Sequence, residues 1–125
     1  MTKHNTMGIE DWRAFFLSMP AAIEDMPFGP EVLVYKVAGK MFGLLAWQDE
    51  PLSMNLKCEP NLAIDLRAQY PAVTPGYHMN KKHWNTITLD DTVSDDMVKD
   101  WLRASYDLVY LSLPKKVQNE LQCRT

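Results

Sequence analysis

Apolar and polar residues alternate along one stretch of the chain, from Leu52 to Cys58. Every second residue is apolar, which gives the strand one apolar side: Leu52, Met54, Leu56 and Cys58. The residues between them are polar: Ser53, Asn55 and Lys57. A strand with this period has one covered face and one face open to water or to a partner. Residues 84–89 repeat the pattern, so the sequence predicts a sheet with one open, polar face.

Two further strands precede this segment and are predicted to form a hairpin. Residues 31–37 and 40–47 are rich in β-branched and aromatic side chains. Gly39 lies between them and is able to adopt the positive φ that a tight turn needs. By contrast, residues 21–31 contain Pro27, Gly29 and Pro30, which predicts a loop without regular structure.

Helical spacing of apolar residues predicts three longer helices. The first covers residues 6–18, with Thr6 as its N-cap and Pro20 after its end. The second covers residues 60–70, and the third runs from the N-cap Ser94 to about Leu113. The residues expected to face inward are Ile9, Trp12, Phe16 and Met19 in the first helix, Leu62, Leu66 and Tyr70 in the second, and Met97, Trp101, Leu102, Leu108 and Val109 in the third. Pro114 either breaks the third helix or starts a short final one.

The order of these elements predicts an α+β fold. Hairpin-linked strands with helices before and after them fit a two-layer sandwich, an antiparallel sheet with helices on one face. We expect the helices at 6–18 and 94–113 to cover the same face, because Leu56 and Ile87 need cover while Lys57 and Thr86 do not. The length of 125 residues suits a single domain, 1–125.

Composition excludes several classes of protein. Hydrophobic residues make up 46% of the chain and charged residues 23%, which excludes a disordered chain, collagen and a coiled coil. No apolar run reaches the ~18 residues of a membrane helix, and the first residues have no apolar signal-peptide centre. We therefore expect a cytoplasmic protein with no membrane partner. Cys58 and Cys123 are then expected to be reduced and unbridged.

Motifs for catalysis or metal binding are absent from the sequence. The five glycines never form a phosphate-binding loop, and there is no Gly-x-Ser-x-Gly elbow. Cys58 could pair with His78 or His83 as a nucleophile, but its alternation with apolar residues favours a buried, inert thiol. The two histidines are five positions apart and lack a third ligand nearby. We therefore expect no enzyme activity, no cofactor and no metal.

The segment YHMNKKHW at residues 77–84 is the strongest candidate for binding. The formal net charge of −3 does not favour a strongly basic nucleic-acid binder, yet this segment contains lysines and histidines and no acid. Lys81 and Lys82 could hold phosphates, and bases could stack on Tyr77, His83 or Trp84. In the alternative interpretation, Tyr77 and Trp84 are core anchors and the lysines only keep a turn soluble.

Four stretches of the chain resemble the MmcQ/YjbR family of small bacterial proteins. They are YKVAGKMFGLL at 35–45, LSMNLKCEPNLA at 52–63, YPAVTPGYHMNKKHWNTITLD at 70–90 and SYDLVYLSLPKK at 105–116. The similarity extends over about residues 7–121, and its most specific block is Pro75 to Thr86. The resemblance implies a CyaY-like α/β sandwich and a DNA-binding protein with a double-wing motif. It implies no catalytic residues.

These observations favour a non-enzymatic DNA-binding protein. Lysines of residues 77–84 and of the polar sheet face would contact phosphates. The nominated binding residues are His78, Asn80, Lys81, Lys82, His83 and Trp84, together with Lys36, Asn55 and Lys57. The alternative is a module that binds a protein or a small ligand on the same sheet face.

Overall fold

The computed structural model describes residues 7–76 and 79–122 of the chain. In this part the chain forms a six-stranded antiparallel sheet and four helices. The elements in chain order are α1 (Ile9–Leu17), β1 (Ala22–Asp25), β2 (Leu33–Val37), β3 (Lys40–Ala46), β4 (Ser53–Lys57), α2 (Pro60–Gln69), β5 (Val73–Pro75), β6 (Trp84–Thr88), α3 (Asp95–Ser112) and α4 (Lys115–Gln122). None of the helices in this part is long and apolar enough to cross a bilayer.

The strands lie in the order β1-β2-β3-β4-β6-β5 across the sheet. The register places Asn55 of β4 between Leu44 of β3 and Thr86 of β6. Because side chains on paired positions point to the same face, these three residues share the open face.

Helices α1 and α3 both cover the other face. Phe16 of α1 stacks on Tyr35 of β2, with ring centroids 4.1 Å apart. Tyr106 of α3 packs edge-on against Phe42 of β3 at 5.1 Å. The buried Ser105 hydroxyl donates a hydrogen bond to the Phe42 carbonyl at 2.6 Å and thereby fixes α3 on the sheet. The predicted α+β sandwich with helices on one face is therefore confirmed.

The close approach of α1 to the sheet requires a glycine at position 43. A Cβ atom there would lie 2.3 Å from Cε1 of Phe16, which is closer than two carbon atoms can approach. The fully buried Phe16 ring uses this space to reach Tyr35. A side chain at position 43 would displace α1 from the sheet.

The prediction of a loop over residues 21–31 was wrong, because β1 lies within it. All four residues of β1 pair with β2, from Ala22 opposite Val37 to Asp25 opposite Val34. Arg13 and Tyr35 also bind the Glu24 carboxylate, at 2.8 and 2.6 Å respectively. This edge strand is stabilised by its neighbours, and a local apolar period is therefore not needed to form it.

Helix boundaries and faces also differ from the prediction in detail. Helix α1 begins after Gly8, whose N–H donates to Asp11 at 2.8 Å, and Thr6 lies outside the described residues. Leu62 and Leu108 were expected to face inward but are 45% and 38% exposed. The reason is that α2 and α3 leave a cleft between them. Residues 115–122 form α4, so Pro114 starts a final helix.

Candidate nucleic-acid interface

Three connections of the chain meet at one end of the sheet. They are the β2–β3 hairpin at residues 38–40, the link after β4 at 57–59 and the turn before β6 at 79–83. The register brings them together, because Val37 pairs with Lys40 and Lys57 pairs with Trp84. We call this region the basic end, and its members are Lys40, Lys57, Lys81, Lys82 and His83.

The lysines of the basic end face little opposing charge. Lys40, Lys81 and Lys82 are exposed, and Lys57 is half-buried. Within the described residues of these three connections, Glu59 is the one carboxylate. It accepts the N–H groups of Asn61 and Leu62 at 3.2 and 3.0 Å at the start of α2. Its charge therefore serves a helix N-terminus, as an N-cap acid does.

Arg67 of α2 holds the turn that carries Lys81 and Lys82. Its Nε donates to Oδ1 of the buried Asn85 at 2.6 Å. Its Nη2 donates to the Trp84 carbonyl at 3.2 Å and to the Lys81 carbonyl. Within the turn, Oδ1 of Asn80 accepts the Lys82 N–H at 2.9 Å. These bonds fix the backbone and leave both lysine side chains exposed.

Sequence reasoning missed two residues of this region. Lys40 follows the predicted hairpin turn, but only the register of the strands brings it to the same end as Lys81. Arg67 lies 14 positions before Lys81 on a separate helix, and no local pattern connects the two. A pattern of apolar spacing carries no signal for such a contact.

Several predicted binding residues are placed differently. Trp84 is only 8% exposed and packs with Val34 and Leu44, so little of its ring is available for base stacking. This placement agrees with the alternative interpretation of Trp84 as a packing anchor. His78 and Tyr77 lie outside the described residues.

Lys36 and Asn55 lie on the open face, Lys36 close to the β2–β3 hairpin that carries Lys40 and Asn55 in the middle of the sheet. The Lys36 ammonium is 3.3 Å from Oδ2 of Asp25. The Met26 N–H and this ammonium together lower the pKa of the Asp25 carboxyl. Oδ1 of Asn55 accepts the Thr86 hydroxyl at 2.5 Å in the middle of the sheet. The structure therefore does not join all the nominated residues into one surface.

The opposite end of the sheet is acidic. Three connections meet there, at residues 26–32, 47–52 and 89–93. They contain five carboxylates and no lysine or arginine, and we call this region the acidic end: Glu31, Asp49, Glu50, Asp90 and Asp91. The open face of the sheet therefore runs from a positive end to a negative one.

The Cys58 thiol lies in the cleft between α2 and α3. This cleft has a volume of about 290 Å³ and a largely apolar lining that includes Leu62, Leu108 and Leu111. Cys58 is half-buried, and its desolvation raises the pKa of the thiol. A protonated thiol is a poor nucleophile. Among the described residues, no group of three or more histidine, cysteine or acidic side chains is placed to hold a metal ion, and Cys123 lies outside them.

A family model described as YjbR matches residues 17–108 of the chain. The Escherichia coli O157:H7 protein YbdF is 35% identical over 106 residues, which cover 85% of this chain and 87% of YbdF. The protein YjbR of Escherichia coli K12 is 28% identical over 110 residues, covering 88% and 93%. Neither name states an activity, so similarity to these relatives assigns none to this chain.

Solved structures show the same fold. A crystal structure of Deinococcus radiodurans protein DR2400 superposes with a TM-score of 0.87 at 37% identity, covering 92% of this chain and 88% of that one. A Pseudomonas syringae protein has a TM-score of 0.70 at 22% identity, covering 82% and 98%. The second similarity supports the fold alone.

Proposed function

The chain belongs to the YjbR family, and we propose that it is a non-enzymatic protein that binds nucleic-acid phosphates through the basic end. The observation that supports this most is the convergence of four lysines from three separate connections at one end of the sheet. Lysine contacts to phosphate supply affinity without reading base sequence.

The two turns that carry the exposed lysines are suited to flank a phosphate backbone. The hairpin at 38–40 carries Lys40, and the turn at 79–83 carries Lys81 and Lys82. Strands β3 and β6 both neighbour β4, so the two turns start about 10 Å apart. We assign them as the two wings of the double-wing arrangement that the family resemblance implies. The end of β4, with Lys57, lies between them.

Contacts to bases are expected to contribute little. The Trp84 ring is packed against the sheet, so it offers little surface for stacking. The Oδ1 atom of Asn80 already accepts a hydrogen bond from the Lys82 N–H within the turn. With a net charge of −3 opposing approach, we expect an affinity in the non-specific range of ~10⁻⁴ to 10⁻⁶ M.

The test is fluorescence anisotropy with labelled single- and double-stranded oligonucleotides at several salt concentrations. If all four lysines contact phosphates, log K should fall with log salt with a slope of about −3.6 on duplex and about −2.8 on single strands. The double variant Lys81→Ala/Lys82→Ala should reduce the duplex slope in magnitude by about 1.8 and weaken binding to all sequences alike.

The matched control is Lys115→Ala/Lys116→Ala on α4, because it changes the net charge equally at residues that belong to none of the three connections of the basic end. It should leave the slope unchanged. Two results would overturn the proposal: no binding to either oligonucleotide at low salt, or equal effects of the two double variants. In either case the protein-interaction or ligand-binding alternative takes its place.

A further inference from the structure

A cavity of about 750 Å³ lies on the open face of the sheet, near the acidic end. Its apolar wall includes Phe28 from the β1–β2 connection, Leu44 of β3 and Met79. Its polar floor includes Asn55 and Thr86, from neighbouring strands. An apolar wall with a few polar groups is the usual composition of a small-molecule site, and this volume is within the usual range.

The charged groups among the described residues that line the cavity are negative. Asp49 and Glu50 line it, and no lysine or arginine occurs among the described residues of its lining. Asp49 is held in place, because its Oδ2 accepts the Ser53 hydroxyl at 2.8 Å. The other carboxylates of the acidic end occupy adjacent connections and add to the negative potential.

One lysine on this face of the sheet, Lys36 of β2, is already paired. Lys36 forms its ion pair with Asp25, so its charge is offset. The Nδ2 of Asn55 makes no hydrogen bond to any described residue and is therefore available as a donor. A ligand here would meet two carboxylates, one amide donor and an apolar wall.

We propose that this cavity binds a small organic cation, an amine attached to an aromatic or aliphatic body. The amine would lie beside Asp49 and Glu50, and the body would pack against Phe28, Leu44 and Met79. The negative field disfavours phosphate, so this site is separate from the nucleic-acid interface proposed above. The two proposals rest on different charged groups, the carboxylates of the acidic end and the lysines of the basic end, although Met79 of the cavity wall belongs to the turn that carries Lys81 and Lys82.

Three indole probes of different charge test the proposal by ¹H–¹⁵N NMR titration: tryptamine is a cation, tryptophol is neutral and indole propionate is an anion. Tryptamine should shift the amides of Leu44, Asn55 and Thr86 with a Kd at or below about 1 mM. Tryptophol should bind at least about fivefold more weakly, because it lacks the charge. Indole propionate should not bind.

Two double variants separate the local carboxylates from the net charge. Asp49→Asn/Glu50→Gln should weaken tryptamine binding about fivefold or more and leave tryptophol binding unchanged. The matched control Asp96→Asn/Asp100→Asn, on α3, removes the same net charge away from the cavity and should have little effect. Thermal melting establishes that each variant is folded.

Several results would overturn the proposal. They are equal affinities for tryptamine and tryptophol, shifts confined to the cleft between α2 and α3, and no shifts at all. The variant Lys81→Ala/Lys82→Ala should bind tryptamine like the unmodified chain. A failure of nucleic-acid binding therefore leaves this test unaffected.

Discussion

The two ends of the sheet carry opposite charges, although the chain as a whole is only mildly acidic. The basic end has four lysines against Glu59 in its described connections, and the acidic end has five carboxylates and no basic residue. The net charge of −3 averages over both. Net charge sets the long-range attraction or repulsion between the protein and a polyanion, whereas binding at one site depends on how the fold separates the charges.

The two ends are also held in different ways. The basic turn is fixed by Arg67, which reaches it from α2 on the covered side of the sheet. The acidic end is held by bonds among its own connections and to β4. Trp47 Nε1 donates to the Pro30 carbonyl at 2.9 Å, and the Ser53 hydroxyl of β4 donates to Asp49. Arg67 therefore ties the basic turn to α2, in addition to the bonds within the turn and the Cys58 N–H bond to the His83 carbonyl at 2.7 Å. In the described residues of the acidic end, the bonds named above join loop residues to each other and to β4 and involve no arginine.

The largest expected effect comes from removing Arg67. Arg67→Met leaves Oδ1 of Asn85 without its donor, and Asn85 is only 2% exposed. We expect a loss of about 2 kcal/mol in the free energy of unfolding, because a buried acceptor is left unpaired. Urea denaturation measures this loss. The control Arg103→Met removes an exposed arginine that pairs with Asp100 and lies over the Phe15 ring at 5.0 Å, and it should change stability by less than about 1 kcal/mol. Equal losses would contradict the anchoring role.

The thiol beside the basic end should react slowly. Burial raises the pKa of Cys58 above its ordinary value of 9.0, so little thiolate forms near neutral pH despite the nearby lysines. In a Cys123→Ser background, alkylation by iodoacetamide at about pH 8 should be at least about tenfold slower than that of free cysteine. The rate should keep rising above about pH 9. A rate equal to that of free cysteine would show that the basic end activates the thiol.

Glu24 forms an ion pair with Arg13, unlike the carboxylates of the acidic end, which have no lysine or arginine in their connections. Hydrogen bonds from Arg13, and also from the Tyr35 hydroxyl, lower the pKa of Glu24 below its ordinary value of 4.5. A lowered pKa stabilises the fold at pH values above 4.5, and this stability is lost as pH falls through the folded pKa. Glu24→Gln should therefore cost about 1 kcal/mol at neutral pH and reduce the loss of stability between about pH 5 and pH 3. Denaturation at several pH values measures both. An unchanged acid profile would contradict the pairing.

The smallest expected effect comes from neutralising the acidic end. Asp49→Asn/Glu50→Gln should strengthen oligonucleotide binding by no more than about twofold at 0.01 M salt, where the screening length is ~30 Å. The gain should vanish near 0.15 M salt, where that length is ~8 Å. Anisotropy measures both affinities. A large gain that persists at high salt would place the nucleic acid on the open face and break the separation of the two ends.

The sequence predicted the central strands well because each contains its own signal. The alternation of residues 52–58 and 84–89 defines both faces of β4 and β6, whatever their neighbours are. Strand β1 was missed because its four residues are stabilised by pairing with β2 and by the Arg13 bond to Glu24. Short edge strands carry too few residues for a period to be evident.

Local patterns in the sequence are enough to give the class of fold, the polar positions Asn55 and Thr86 on the open face and the cationic segment with Lys81 and Lys82. They do not reveal that the same face also carries the buried apolar cluster Val34, Leu44 and Trp84. Only the tertiary structure placed Lys40 at the same end, packed the Trp84 ring against the sheet and put Asp49 and Glu50 on the rim of a cavity. The physical reason is that periodicity is local, whereas strand order and register arise from pairing between segments far apart in the chain. Which charges become neighbours depends on that pairing.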